Sequence, residues 1–87
     1  MKAKKVIIKA YYNLGEEYII FDSNPLHNTS YENVNVTIKE VTKTVCGMNF
    51  VMDVIYIDGQ DPIECELVSK RQNTDGTLII GICQDWG

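Results

Sequence analysis

Hydrophobic and polar positions alternate along this chain in short runs, a pattern that predicts β-strands and no helix. Side chains of a strand point to opposite faces in turn, so one face repeats at every second position. Four apolar-rich runs, joined only by short turns, cover residues 34–45, 48–57, 63–71 and 77–83. Such an order predicts a β-meander.

The N-terminal part adds a hairpin. Val6, Ile8 and Ala10 share one face of a run over residues 4–12, and a turn at Gly15 leads to a second run over residues 18–21. Tyr11 falls on the opposite, outward face if Tyr12 points inward, and shares that face with Lys9. Six strands are therefore expected in all.

Residues 22–33 are polar and lack a period, so they predict a surface loop. The segment carries His27, the one histidine of the chain, and Tyr31. Loops of about a dozen residues are uncommon in small domains and are often functional. A short helix hidden here would change the class from all-β to α+β.

The third run contains a conflict of phase. Ile38 and Val41 are apolar but fall on opposite faces of a regular strand. A two-residue turn at residues 46–47 would also place Glu40 opposite Asp53, and directly opposed like charges are destabilising. A β-bulge near Lys39 and Glu40 would remove both problems and bend the hairpin strongly.

These patterns predict an all-β fold of about six mainly antiparallel strands, arranged as a small barrel or roll with a strongly bent long hairpin. A compact sandwich is the alternative. With 87 residues the chain has enough interior for one core, so residues 1–87 are expected to form a single β domain. The run over residues 48–57 is apolar on both faces and is the best candidate for a central strand.

Charge and cysteine content limit the binding partners and the cellular location that are expected for this chain. Eight Lys and Arg against twelve Asp and Glu leave a net charge of −4, which disfavours non-specific binding to phosphate backbones. Four lysines nevertheless lie in the first ten residues, at Lys2, Lys4, Lys5 and Lys9. Three widely spaced cysteines, no signal peptide and no run of ~20 apolar residues predict a cytoplasmic protein without membrane contact.

No cofactor, metal or catalytic motif stands out. The cysteines are too far apart for a zinc site, and Cys65 shares its phase with Ile63, which predicts a buried thiol. Cys46 is expected to be exposed at a hairpin tip. Candidate partner-binding residues are the outward aromatic and acidic side chains and the loop histidine: Tyr11, His27, Tyr31, Glu64, Glu66 and Trp86.

The favoured function is that of a small, acidic, non-enzymatic module that binds another protein. Domains of this kind recur as inhibitors and accessory subunits, including those of phages and other mobile elements. A homodimer is an alternative use of the same surfaces. A second hypothesis is a small barrel that binds single-stranded nucleic acid through Lys9 and Tyr11, and a third is a small enzyme that uses carboxylates or Cys46.

Overall fold

The structure is a computed structural model that describes residues 1–84. The described chain is all-β, and residues 22–28 form turns rather than the helix that an α+β fold would need. Its strands are β1 (Lys2–Leu14), β2 (Glu17–Ile20), β3 (Ser30–Val45), β4 (Met48–Ile57), β5 (Ile63–Gln72) and β6 (Thr77–Cys83). No helix of the length and apolarity required to cross a membrane occurs among residues 1–84.

Five of these strands close into a barrel in the order β1-β3-β4-β5-β6. Neighbours pair antiparallel except β1 and β6, which run parallel from the pair Lys5 and Thr77 to the pair Tyr11 and Cys83. The remaining strand, β2, pairs with the far end of β1 and forms the predicted N-terminal hairpin. The small barrel is therefore confirmed over the sandwich.

The barrel is filled by the alternate apolar residues that the sequence pattern selects. They include Val6 and Ile8 of β1 and Leu78, Ile80 and Ile82 of β6, all fully buried. Burying a side chain of this size stabilises the fold by about 1.5–3 kcal/mol. The Cys65 thiol lies in the same core, as its phase predicts.

The long hairpin of β3 and β4 has no bulge, so the prediction of one near Lys39 and Glu40 was wrong. The register runs without a break from the turn to the barrel, and Glu40 does lie opposite Asp53. The Asp53 carboxylate accepts a hydrogen bond of 3.0 Å from the backbone N–H of Leu67. This hydrogen bond offsets the repulsion between the opposed carboxylates of Glu40 and Asp53, because a charge-assisted hydrogen bond stabilises its acceptor.

The conflict of phase between Ile38 and Val41 disappears because the hairpin of β3 and β4 extends beyond the barrel. Residues 48–57 were predicted to form a central strand. Only residues 53–55 of β4 pair with β5, so β4 has strand partners on both sides only there. Residues 41–45 and 48–52 form a two-stranded extension, here called the arm. Val41 and Val45 lie on its outer face, because they pair with Met52 and Met48.

A β-bulge is present on another strand. The pairing of β5 with β6 shifts between Leu67 and Ser69, which leaves Val68 as the extra residue. Before the shift Leu67 faces the same side as Ile82 in the core. After it Ser69 pairs with Gly81, and the side chains that follow reverse their faces.

The predicted loop is shorter than its composition suggests. Strand β3 begins at Ser30, and Tyr31 pairs with Val6 of β1. Polar residues 30–33 are drawn into the sheet because the edge of β1 offers them backbone partners. His27 lies in the remaining turns, three residues before β3 begins.

Candidate functional site

An open groove of about 590 Å³ lies on the outer face of β5, β6 and β1. It contains two of the predicted partner-binding residues, Tyr11 and His27, and also Lys9, which the nucleic-acid hypothesis had paired with Tyr11. The lining consists of Lys9, Tyr11, Ile20, His27, Ser69, Arg71 and Ile79. We refer to it as the basic groove.

A glycine on β6 positions the Tyr11 ring. A Cβ atom at Gly81 would lie 3.0 Å from Cε2 of Tyr11 and 2.5 Å from Oγ of Ser69. The contact with the Ser69 hydroxyl would be an overlap and the contact with the Tyr11 ring would be tight, so a side chain at this position would displace Ser69 and press on Tyr11. The absence of a side chain at Gly81 thus lets Tyr11 and Ser69 approach each other across β6.

The His27 imidazole is held by the backbone of β1. Its Nδ1 accepts a hydrogen bond of 2.9 Å from the N–H of Ala10. An imidazole whose Nδ1 accepts must carry its proton on Nε2. This N–H donor makes no hydrogen bond with residues 1–84, and the ring itself lines the groove.

Charge in the basic groove has one sign. Lys9 donates to the side-chain oxygen of Asn28, and Arg71 forms no ion pair within the described chain. None of the Asp and Glu side chains of residues 1–84 lines the groove. A local positive surface therefore exists on a protein whose net charge is −4.

The predicted acidic patch is not a cluster of unpaired carboxylates. Glu64 forms an ion pair with Lys43 of β3, and Glu66 accepts a hydrogen bond of 2.8 Å from the Tyr18 hydroxyl. This hydrogen bond raises the pKa of Tyr18 above its ordinary value. Both carboxylates lie outside the basic groove.

The other candidates are dispersed. Tyr31 packs partly buried against the core, so much of its ring is unavailable to a partner. Trp86 lies outside the described residues. Cys46 is exposed at the tip of the arm with a positive φ of 51°, and no three His, Cys, Asp or Glu side chains of residues 1–84 are grouped to hold a metal ion.

The arm is the second surface with an unusual character. Its apolar side chains are exposed, Met48 and Val51 each by 62%. The outer face carries Val41, Val45, Met48, Phe50 and Met52, and Lys43 lies among them opposite Phe50. Within the described residues, the edges of β3 and β4 that face away from each other have no strand partner along the arm.

No protein-family model, curated protein or solved structure matches this chain. Function is therefore inferred from its side chains and their geometry alone.

Sequence reasoning missed Ser69 and Arg71 for a definite reason. Ile63, Cys65 and Leu67 set a phase that would put both residues inside the barrel. The bulge at Val68 reverses that phase and brings them to the outer face beside Tyr11. The exposed apolar residues of the arm were missed because their strand had been interpreted as central.

Proposed function

We propose that this protein is a non-catalytic, cytoplasmic protein-binding module and that the arm is its docking surface. The observation that supports this most directly is the exposure of Val45, Met48 and Phe50 on the outer face of the arm. Contiguous exposed apolar side chains on a small domain mark interaction sites, and Met and Phe are enriched at protein interfaces. Three free thiols agree with a reducing compartment.

The open edge of β4 suggests how the partner is bound. Residues 48–52 present backbone N–H and C=O groups that have no strand partner on one side. An extended segment of another protein can pair with such an edge, while its alternate side chains pack on the apolar outer face. This segment of β4 carries no charged side chain, so nothing on it opposes the approach of an apolar strand.

The partner is a different protein rather than a second copy. Two copies of a chain with net charge −4 repel each other at long range, whereas a neutral or basic partner does not. Inhibitors and accessory subunits bind in this manner, through one exposed surface and without chemistry of their own. Self-association through the same edge is the outcome that the experiment must distinguish.

The experiment compares affinity capture by three forms of the tagged chain. Met48→Thr/Phe50→Thr changes two exposed apolar residues on the outer face of the arm to a residue that favours strands. Leu14→Thr makes the same kind of change at an exposed position of the other hairpin, and is the control. Circular dichroism establishes that all three forms are folded.

A partner that resists nuclease and is retained by Leu14→Thr but lost by the arm variant supports the proposal. A partner retained equally by the arm variant contradicts it. Sedimentation of the purified chain provides the remaining comparison. If the mass doubles as the protein concentration rises, and does so in the native chain but not in the arm variant, the partner is a second copy of this chain.

A further inference from the structure

We propose that the basic groove is a nucleotide-binding site, separate from the arm and from the proposed docking function. The phosphate is bound by Lys9, Arg71 and His27, and the base stacks on Tyr11. The shared chemistry is a phosphate joined to a planar ring, whether in a free nucleotide or in a short single strand.

The anion-binding half of the site is formed by the cationic side chains of Lys9 and Arg71 on either side of Ser69. Lys9 pairs with Gly81, and Gly81 pairs with Ser69 on the next strand, so Lys9 and Ser69 lie in one row across three strands. Neighbouring strands are about 4.8 Å apart, which makes this row about 10 Å wide. Arg71 lies two positions beyond Ser69 on the same face. Long cationic side chains at these positions can reach one phosphate from both sides.

His27 adds a neutral donor at the rim. Because Ala10 occupies Nδ1, the proton is on Nε2, which has no hydrogen-bond partner among residues 1–84. Neutral N–H donors and guanidinium groups bind phosphate oxygens well, and no carboxylate in the described part of the chain lines the groove to compete for the cations.

The ring-binding half is apolar. Tyr11 is held over β6 by the missing side chain at Gly81, and Ile79 and Ile20 line the same groove. Single-stranded nucleic acids bind to small barrels by stacking bases on aromatic side chains beside a positive track. Here the aromatic ring and the cations share one groove.

A peptide is a poorer fit for this surface. Strand β6 is hydrogen-bonded to β1 on one side and to β5 on the other, so its backbone groups are already used beneath the groove. A peptide could not add a strand there, and recognition depends on side chains alone. Lys4 and Lys5 lie in another depression with Glu32 and Asp75, so the positive surface is confined to the length of a nucleotide or two.

The test is isothermal titration of the full chain with adenosine monophosphate and, separately, with a six-nucleotide single-stranded DNA. Arg71→Gln removes the guanidinium, which forms no ion pair with any residue of the segment 1–84. Lys70→Gln removes the same charge from the adjacent residue, whose side chain lies on the opposite face of β5, and is the matched control. Tyr11→Leu and Tyr11→Phe test stacking, and thermal melts establish that the variants are folded.

We expect Arg71→Gln to weaken binding tenfold or more, Lys70→Gln to change it less than twofold, and Tyr11→Leu but not Tyr11→Phe to weaken it. Added salt should weaken the binding of the DNA. Equal affinity for both probes identifies a nucleotide site, and preference for the DNA identifies a single-strand site; both support the inference. Binding of neither probe, or equal losses in Arg71→Gln and Lys70→Gln, overturns it.

Discussion

The backbone N–H of Ala10 donates its hydrogen bond to Nδ1 of His27, 17 residues further along the chain, at 2.9 Å. The carbonyl of Ala10 accepts from the N–H of Phe21, at 2.9 Å. Ala10 lies where the edge of β1 passes from β3 to β2, and neither strand reaches it. A side chain thus occupies the place of a strand partner, and the same contact holds the His27 ring where it lines the basic groove.

Replacing His27 by Ala should destabilise the fold by about 1–3 kcal/mol, because the partly buried N–H of Ala10 then loses its acceptor. Urea denaturation measures this change. Asp22→Ala, in the same loop and exposed, is the control and should change the free energy of unfolding by less than about 0.5 kcal/mol. Equal stability of His27→Ala and the control would mean that water replaces the imidazole without loss.

Gly81→Ala should destabilise the barrel by about 1–3 kcal/mol, because the new methyl group would overlap Ser69 Oγ and press on the Tyr11 ring. Ser69→Ala removes the closest of these atoms. The double variant Gly81→Ala/Ser69→Ala should therefore recover part of the loss in a thermodynamic cycle measured by thermal and urea unfolding. Strictly additive effects would show that the backbone moves and that the hydroxyl is not the obstacle.

Asp53 and Glu40 should respond in opposite directions. Asp53→Ala removes the acceptor for the N–H of Leu67 beside the bulge, which should cost about 1–3 kcal/mol. Glu40→Gln only removes the opposed like charge, so its free energy of unfolding should stay the same or rise slightly. A larger loss for Glu40→Gln than for Asp53→Ala would refute this assignment.

The end of the barrel along β4 can be located with two substitutions on one face. Ile55 is fully buried and Val51 is 62% exposed, although the two are four positions apart on the same strand. Ile55→Ala should cost about 2–5 kcal/mol. Val51→Ala should change stability by no more than about 0.5 kcal/mol. A comparable loss at both positions, measured by urea unfolding, would indicate that the arm is covered in solution.

The thiols of Cys46 and Cys65 should differ in reactivity. Burial, aided by nearby Asp53, raises the pKa of Cys65 to about 12, whereas Cys46 is exposed. Alkylating reagents attack the thiolate, so iodoacetamide at pH 8 should modify Cys46 in the native protein and Cys65 only after unfolding. Mass spectrometry of peptides follows both sites. Similar native rates at Cys46 and Cys65 would contradict the closed core.

The same thiol predicts a dependence of stability on pH. The pKa of Cys65 is raised in the folded state, so its contribution is complete below the ordinary value of 9.0 and is lost as the pH rises toward about 12. Unfolding free energies measured between these limits should decline less steeply in Cys65→Val than in the native chain. An unchanged slope would mean that other groups govern alkaline unfolding.

The sequence by itself determined the strands and the core. Alternation is a local property, so Val6, Ile8 and Ile80 could be assigned to the interior, and Cys65 with them, before any pairing was known. The turns could also be predicted from the sequence, because glycines such as Gly76, with a φ of 91°, adopt a backbone conformation that other residues rarely adopt.

Only the tertiary structure decided which faces meet and where the phase changes. The bulge lies at Val68 and not near Glu40, and the N–H of Leu67 beside it donates a hydrogen bond to the Asp53 carboxylate where β5 leaves β4. That shift turns Ser69 and Arg71 outward to Tyr11, and His27 joins them through Ala10. Strand pairing links residues far apart in sequence, so no local pattern contains its register, and the groove exists only once the barrel has closed.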